Sequence, residues 1–295
     1  MGPLQPGVVF PQTEIGADPG AVRAYVDAAG ELGYRHVLVY DHVVGADPEV
    51  HRGWSGYYDL HSTFYEPFVL FGFLAGISDL ELVTGILIAP QRQTVLVAKQ
   101  AAAVDVLCQG RLRLGVGIGW NAVEYEALGM DFANRGRRLE EQIDLLRRLW
   151  TDESVTFHGQ YHRVEGAGLA PMPVQRPIPL WIGATAPPAL RRVGRLADGW
   201  FPQAVPGPSL DEAKGIVDAA ATAAGRDPAA LGMEGRLEWS TGDPERLARH
   251  AAKWRDAGVT HLSVNTMGAG CASVDDHVAG LAVMAPILSE VAGSR

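Results

Sequence analysis

A carboxylate and an imidazole stand side by side at the end of a strongly apolar run, at Asp41 and His42. The residues before them, YRHVLVY (34–40), are rich in branched and aromatic side chains and predict a β-strand. An imidazole gains and loses a proton near neutral pH, and a neighbouring carboxylate can orient it. The pair therefore indicates an acid/base site, although a hydrogen-bonded strand end would contain the same two residues.

The stretch RLRLGVGIGW (111–120) carries a glycine at every second position, at Gly115, Gly117 and Gly119. A dinucleotide-binding loop needs G-x-G-x-x-G, and here Trp120 occupies the place of the third glycine. Alternation with a period of two puts the glycines on one face of a strand, where a flat ring can approach closely. The alternative is that they only relieve crowding inside a closed sheet.

Other kinds of catalytic site find little support in the sequence. There is no Ser-His-Asp set and no pair of close carboxylates at the predicted strand ends, and the histidines lack metal-ligand spacing. His158 and His162 fall in a predicted hairpin, where packing or solvation is expected, so no metal site is predicted. One imidazole, aromatic side chains and glycine faces suit a flat organic cofactor better than hydrolysis.

Strand and helix patterns alternate along the chain close to eight times, which predicts a parallel sheet. With 295 residues, this alternation predicts an α/β fold with a single (β/α)8 TIM-barrel domain over residues 1–295. Residues 153–177 break the rhythm and predict a small insertion between units four and five. Chemistry in such barrels lies where strands end and helices begin, so the Asp41-His42 and Trp120-Asn121 pairs should meet at one end.

Composition indicates which binding partners and which cellular compartment are expected. The net charge of −9 argues against a nucleic-acid partner, which needs a basic surface. The longest apolar run, FVLFGFLAGI (68–77), is too short to span a bilayer, so no membrane partner is expected. The start of the chain shows no signal peptide, and Cys108 and Cys271 match no ligand or redox spacing, so we expect a cytoplasmic protein.

The sequence resembles the luciferase-like monooxygenase superfamily of flavin and deazaflavin oxidoreductases. The resemblance runs from residue 7 to about residue 266, and it is nearest to the subgroup that depends on coenzyme F-420. Four stretches carry it: VLVYDHVV (37–44), LVTGILIAPQR (82–92), GRLRLGVGIGWNAVEYEALG (110–129) and PIPLWIGATAPPALRRVGRLADGW (177–200). No single stretch is decisive, and it is their order and spacing that are specific.

The resemblance implies roles for the strand-end residues. His42, following Asp41, would face the reactive edge of the cofactor ring, and both are expected to be catalytic. A non-proline cis peptide between Gly85 and Ile86 would stand behind the ring. The alternative at that bond is an ordinary trans peptide.

The remaining residues that the resemblance implies would bind the cofactor. The fourth strand would line it, and the fifth would offer backbone N–H groups to a phosphate at a helix start. These residues are Gly117, Gly119, Trp120, Asn121, Gly183 and Ala184. Trp120 could instead only cap the barrel core. Deazaflavin sugar-phosphate dehydrogenases carry a glutamate where this chain has Trp120, which argues against sugar-phosphate oxidation.

Three functions remain open. The first is hydride transfer between coenzyme F-420 and a small organic substrate, with His42 as the acid/base. The second is an FMN-dependent monooxygenase that uses dioxygen and reduced flavin from a separate reductase. The third is a non-catalytic flavin-binding protein, against which the Asp41-His42 pair weighs. The resemblance also implies a homodimer, to which the 68–77 helix could contribute. The aromatic segment 52–67 could be ordinary loop surface or, equally, a substrate lid.

Overall fold

The computed structural model describes residues 3–239 and 243–293 of the chain. Its strands in these residues are β1 (Gln5–Val9), β2 (His36–Val39), β3 (Glu81–Thr84), β4 (Leu87–Ile88), β5 (Leu112–Gly117), β6 (Val155–His158), β7 (Arg163–Ala167), β8 (Leu180–Ala184), β9 (Gly199–Pro202), β10 (Gly232–Glu238) and β11 (His261–Asn265). Parallel pairing runs in the order β3-β2-β1-β11-β10-β9-β8-β5, and pairing of β3 with β5 closes the ring. The predicted eight-stranded TIM barrel is confirmed.

Helices surround the barrel between successive strands and after the last one. They are α1 (Pro19–Glu31), α2 (Pro67–Ala75), α3 (Thr94–Leu107), α4 (Ala122–Ala127), α5 (Arg135–Thr151), α6 (Pro187–Leu196), α7 (Pro208–Ala223), α8 (Pro244–Asp256) and α9 (Val274–Gly293). None of these helices, within the residues described, has the length and hydrophobicity needed to cross a membrane.

The barrel interior is filled in layers. At the amino ends of the strands, Glu234 accepts hydrogen bonds from His36 and from Arg113, which also pairs with Glu81. Burial alone would raise the pKa of Glu234, but the charges of His36 and Arg113 hold it well below its usual range. An apolar layer follows in the middle, formed by Val9, Leu38, Val83, Trp181 and Phe201. The open end, where the strands terminate, is the mouth of the barrel.

The glycine-rich strand is shorter than the sequence predicts. β5 ends at Gly117, and Gly119 adopts a positive φ of 63°. A left-handed residue breaks the alternation of a strand, so Gly119 does not share the face of Gly115 and Gly117. This corrects the expectation that all three glycines lie on one strand face.

The predicted insertion is an antiparallel pair of strands, β6 and β7, between the fourth and fifth barrel strands. It is fastened to α5 and to the start of α3, because the His162 ring lies 2.7 Å from Glu141 and 2.7 Å from Thr94 Oγ1. Both ring nitrogens of His162 are thus engaged by protein groups, which agrees with the packing role expected of it.

Candidate active site

His42 follows β2 and faces a wall of aromatic side chains at the mouth of the barrel. Its ring centroid lies 5.0 Å from that of Tyr58, 4.8 Å from Phe64 and 5.6 Å from Trp120. His42, Tyr58 and Phe64, together with Asn121, line a pocket of about 320 Å³. The imidazole is therefore within reach of a small molecule that enters this pocket.

The carboxylate that meets His42 is Glu124, a buried residue of α4. Its Oε2 lies 3.6 Å from Nδ1 of His42 and accepts a hydrogen bond from Gln91, while its Oε1 accepts one from the Val43 N–H. Burial would raise the pKa of Glu124, but the nearby His42 and hydrogen bonds from Gln91 and Val43 lower it. An ionised Glu124 favours a proton on Nδ1 of His42, so the Nε2 atom is the ring nitrogen left to contact a ligand.

The sequence analysis did not single out Glu124. Its signal is the pattern Asn121-x-x-Glu124, which resembles a capping box at the start of a helix. Asn121 does cap α4, because its Oδ1 accepts hydrogen bonds from the N–H groups of Val123 and Glu124. Glu124 does not reach back to the cap but crosses to the backbone that follows β2.

Asp41 points away from His42 and holds a different part of the site. Its carboxylate forms a two-pronged ion pair with Arg92, with both N···O distances at 2.8 Å. It also accepts the N–H of Ile88 at 2.9 Å. Asp41 is therefore placed to fix the chain segment that follows the third barrel strand, and Glu124 is the carboxylate beside the imidazole.

Gly85 and Ile86 separate β3 from β4, and the peptide bond between them is cis, as the resemblance implies. The Ile86 side chain lies on the glycines of neighbouring strands. A Cβ on Gly117 would come within 2.5 Å of Ile86 Cδ1, and one on Gly183 within 3.1 Å of Ile86 Cγ2. The glycine face is thus occupied by Ile86 rather than left bare, and half-buried Ile86 forms the apolar floor of the mouth.

The Trp120 ring packs between His42 and segment 52–67, the candidate lid. Its ring lies 5.7 Å from Trp54 and 5.7 Å from Tyr57. The segment is tied down, because Trp54 Nε1 donates to the Tyr58 carbonyl oxygen and Tyr65 donates to the Gly16 carbonyl oxygen. The aromatic side chains of the segment therefore cover the side of the mouth where His42 stands.

The predicted phosphate site lies at the end of β8, which contains Gly183 and Ala184. The helix that follows, α6, begins with Pro187 and Pro188. Proline has no N–H, so the first turn of α6 offers fewer backbone donors than an ordinary helix start. The next two N–H groups, of Ala189 and Leu190, donate to the Ala186 carbonyl oxygen, so the donors to a phosphate would come from residues before Pro187.

A polar cluster at the ends of three barrel strands was also not singled out by the sequence analysis. Arg236 donates to Glu238 Oε1 at 2.6 Å and to the Tyr40 hydroxyl at 3.0 Å. Asn265 donates to the other carboxylate oxygen of Glu238 at 2.7 Å. These residues sit at the ends of β2, β10 and β11, so strand-end position was the signal that could have found them.

Curated relatives match parts of this chain. An F-420-dependent hydroxymycolic acid dehydrogenase of Mycobacterium tuberculosis is 31% identical over 255 residues, 84% of this chain and 66% of the relative. An uncharacterised protein of the same organism is 40% identical over 139 residues, 47% of this chain. The chain spans 48% of that relative's length.

Solved structures share the fold at low identity. An F-420-dependent secondary alcohol dehydrogenase in complex with an F-420–acetone adduct superposes with a TM-score of 0.82 at 18% identity, covering 99% of both chains. The oxygenating constituent of an FMN-bound Baeyer–Villiger monooxygenase from Pseudomonas putida gives 0.76 at 12% identity, covering 98% of both. The family model of the luciferase-like monooxygenases matches residues 3–267, so the chain belongs to that family.

Proposed function

We propose that the protein is an oxidoreductase that uses the deazaflavin coenzyme F-420 and transfers a hydride to or from a small organic substrate. The observation that carries this proposal is the His42–Glu124 pair, in which buried Glu124 stands behind an imidazole that lines a pocket at the mouth of the barrel. An imidazole oriented by an ionised carboxylate suits the proton transfer that accompanies hydride transfer to a carbonyl or from an alcohol. The name of the 31% identical dehydrogenase supports the choice of cofactor.

The shape of the mouth fits a flat tricyclic ring. Ile86 lies across Gly117 and Gly183, where a Cβ would collide with it or press on it, so the floor is apolar and lacks projecting side chains. Aromatic residues of segment 52–67 and Trp120 stand on one side of this floor. When bound, the deazaflavin supplies or accepts the hydride.

His42 moves the proton in this proposal. During oxidation of an alcohol, the Nε2 atom of His42 takes the hydroxyl proton as the C–H hydride leaves, and during reduction it returns that proton. Glu124 holds the ring by its Nδ1 atom and balances the positive charge that develops on it. Asp41 acts more remotely, because its pair with Arg92 and the bond from Ile88 position the backbone that carries the floor.

The remaining site residues would hold the cofactor. Gly85 and Ile86 would support one ring face, and Trp120 would border the ring on the lid side. The other cofactor-binding residues in this proposal are Gly117, Gly119, Asn121, Gly183 and Ala184, with the last two near the phosphate. Since Asn121 Oδ1 already caps α4, only its amide nitrogen is left for a ligand.

We also propose that residues 1–295 form one domain and that two copies associate through α2. This helix exposes the apolar side chains of Val69 at 73% and Phe73 at 38%, which a second copy could cover. A cytoplasmic location is proposed from the free cysteines Cys108 and Cys271.

Cofactor titration tests the proposed function. The purified apoprotein is offered coenzyme F-420 and FMN separately, and ring fluorescence is followed. Saturable binding of F-420 that is tighter than binding of FMN is expected. Tight binding of FMN with none of F-420 would instead favour a monooxygenase supplied by a separate reductase. Binding of either cofactor without turnover of any alcohol or ketone would favour a flavin-binding protein.

A further inference from the structure

Arg236 brings a positive charge to the mouth of the barrel. Its side chain is 42% exposed, although two of its nitrogens are fixed by protein groups. Nε donates to Glu238, and Nη1 donates to the Tyr40 hydroxyl. Within residues 3–239 and 243–293, Nη2 makes no hydrogen bond. The guanidinium is therefore held in one orientation with donor capacity left for a ligand.

Arg236 lies beside the chain segment that follows β2, because its Nη1 atom is 3.0 Å from the hydroxyl of Tyr40, two residues before His42. Burial raises the pKa of Tyr58, and the charge of Arg236 acts on the same hydroxyl in the opposite direction. The Tyr58 ring in turn packs 5.0 Å from the ring of His42. The guanidinium and the proposed proton donor are thus both held at the end of β2, the first through the Tyr40 hydroxyl and the second by its place in the chain.

The arrangement differs from an ordinary structural ion pair. Exposed ion pairs contribute little to stability, and the side chains of Arg236 and Glu238 are 42% and 58% exposed. Glu238 neutralises part of the charge, but its second oxygen is engaged by Asn265. A guanidinium that is already oriented loses little conformational freedom when it binds a carboxylate, and it does so with two parallel hydrogen bonds.

We propose that Arg236 binds a carboxylate of the substrate, while the apolar part of the substrate packs on Tyr58, Phe64 and Trp120. The substrate class is thus an apolar carboxylic acid that also carries the alcohol or carbonyl group to be transformed. This proposal rests on the proposed function in taking the mouth as the active site. Tyr40 is a positioning residue, because it holds the guanidinium by its hydroxyl oxygen.

The test compares octanoate with octanamide, two probes of the same length that differ in charge. Binding is followed by tryptophan fluorescence, since Trp54 and Trp120 lie in the aromatic wall, on cofactor-free and F-420-loaded protein. We expect octanoate to bind wild-type protein more tightly than octanamide. Arg236→Gln should weaken octanoate about tenfold or more and leave octanamide nearly unchanged. The matched control is Arg249→Gln, at an exposed arginine of the outer helix α8, which should change neither affinity.

A second variant keeps the test decisive if Arg236→Gln does not fold. Glu238→Gln removes the carboxylate that competes for Arg236, so octanoate should bind more tightly while octanamide does not. Equal affinity of wild-type protein for the two probes, or equal loss of both in Arg236→Gln, overturns the proposal. Cofactor titration on the same preparations separates the two ideas, because an Arg236-dependent preference for octanoate without F-420 binding would contradict only the proposed function.

Discussion

Nδ1 of His42 lies 3.6 Å from Oε2 of Glu124, and the same carboxylate accepts the N–H of Val43, the residue after the histidine. One buried side chain thus holds both the imidazole and the backbone that carries it. Removing Glu124 should therefore affect both the fold and the chemistry, whereas removing His42 should affect mainly the chemistry.

His42→Ala is expected to lower turnover about a hundredfold or more, because a positioned acid/base contributes roughly that much. Cofactor affinity should change little, since the ring of His42 packs on aromatic residues of the wall rather than on Ile86. Affinity, melting temperature and turnover are measured on one preparation, with a substrate that the wild-type protein accepts. His61→Ala, at an exposed position of segment 52–67, is the control. Unchanged turnover in a stable, loaded His42→Ala protein would contradict the role of His42.

Glu124→Gln is expected to destabilise the fold by about 1–3 kcal/mol at neutral pH, because two hydrogen bonds to a buried carboxylate are weakened. The folded-state pKa of Glu124 is lowered from 4.5. A carboxylate with a depressed pKa contributes stability above its unfolded value and loses it as the pH falls through the folded value. The difference in unfolding free energy between wild type and variant should therefore be constant above about pH 5 and shrink below about pH 4.5. Urea unfolding across this range measures it, and a difference that grows on acidification would contradict the assignment.

Asp41→Asn breaks a buried, two-pronged ion pair and is expected to cost about 3–5 kcal/mol, because Arg92 then keeps only its longer contact of 3.8 Å with the more exposed carboxylate of Glu66. Asp144→Asn is a matched control, since Asp144 pairs with Arg148 on the exposed face of α5. That substitution should change stability by about 0.5 kcal/mol or less. Urea unfolding of both variants decides the matter, and similar losses would show that the Asp41–Arg92 pair does not support the site.

Gly117→Ala should displace Ile86, because a Cβ there would lie 2.5 Å from its Cδ1 atom. We expect coenzyme F-420 to bind about tenfold more weakly, since overpacking of a filled site costs about 1–3 kcal/mol. Shortening the partner in the double variant Gly117→Ala/Ile86→Ala should restore part of the affinity. Gly72→Ala is the control, because a Cβ at Gly72 of α2 meets no neighbouring atom. Equal affinity of Gly117→Ala and wild type would show that the floor does not contact the ring.

The barrel and its active end were predictable, whereas the partners of the site residues were not. Strand–helix alternation is a local pattern, and in this fold it determines which residues reach the mouth, so His42 and Gly183 could be placed. Glu124 could not, because a glutamate early in a short helix has the appearance of a solvated residue. Its burial depends on the contact of α4 with the backbone after β2, which no local pattern contains.

The glycines show the same difference between a local pattern, which is predictable, and a tertiary contact, which is not. Their spacing predicted a strand face without side chains, and Gly117 and Gly183 do provide room. That space is filled by Ile86, which lies between β3 and β4, and its position depends on the register between β4 and β5. Gly119 lies outside the strand because of its positive φ, a conformation that glycine permits and that sequence alternation alone does not reveal.

The charged layer around Glu234 and Arg113, together with the apolar layer above it, fills the interior of the barrel, so the mouth is open at one end only. Whatever enters the mouth must leave by the same opening, so two ligands cannot pass through from opposite ends. If the cofactor lies on the floor formed by Ile86, a substrate arriving afterwards blocks its exit until the product has departed. Steady-state kinetics should accordingly follow an ordered sequence, with the cofactor first in and last out, and a random sequence in product-inhibition patterns would contradict it.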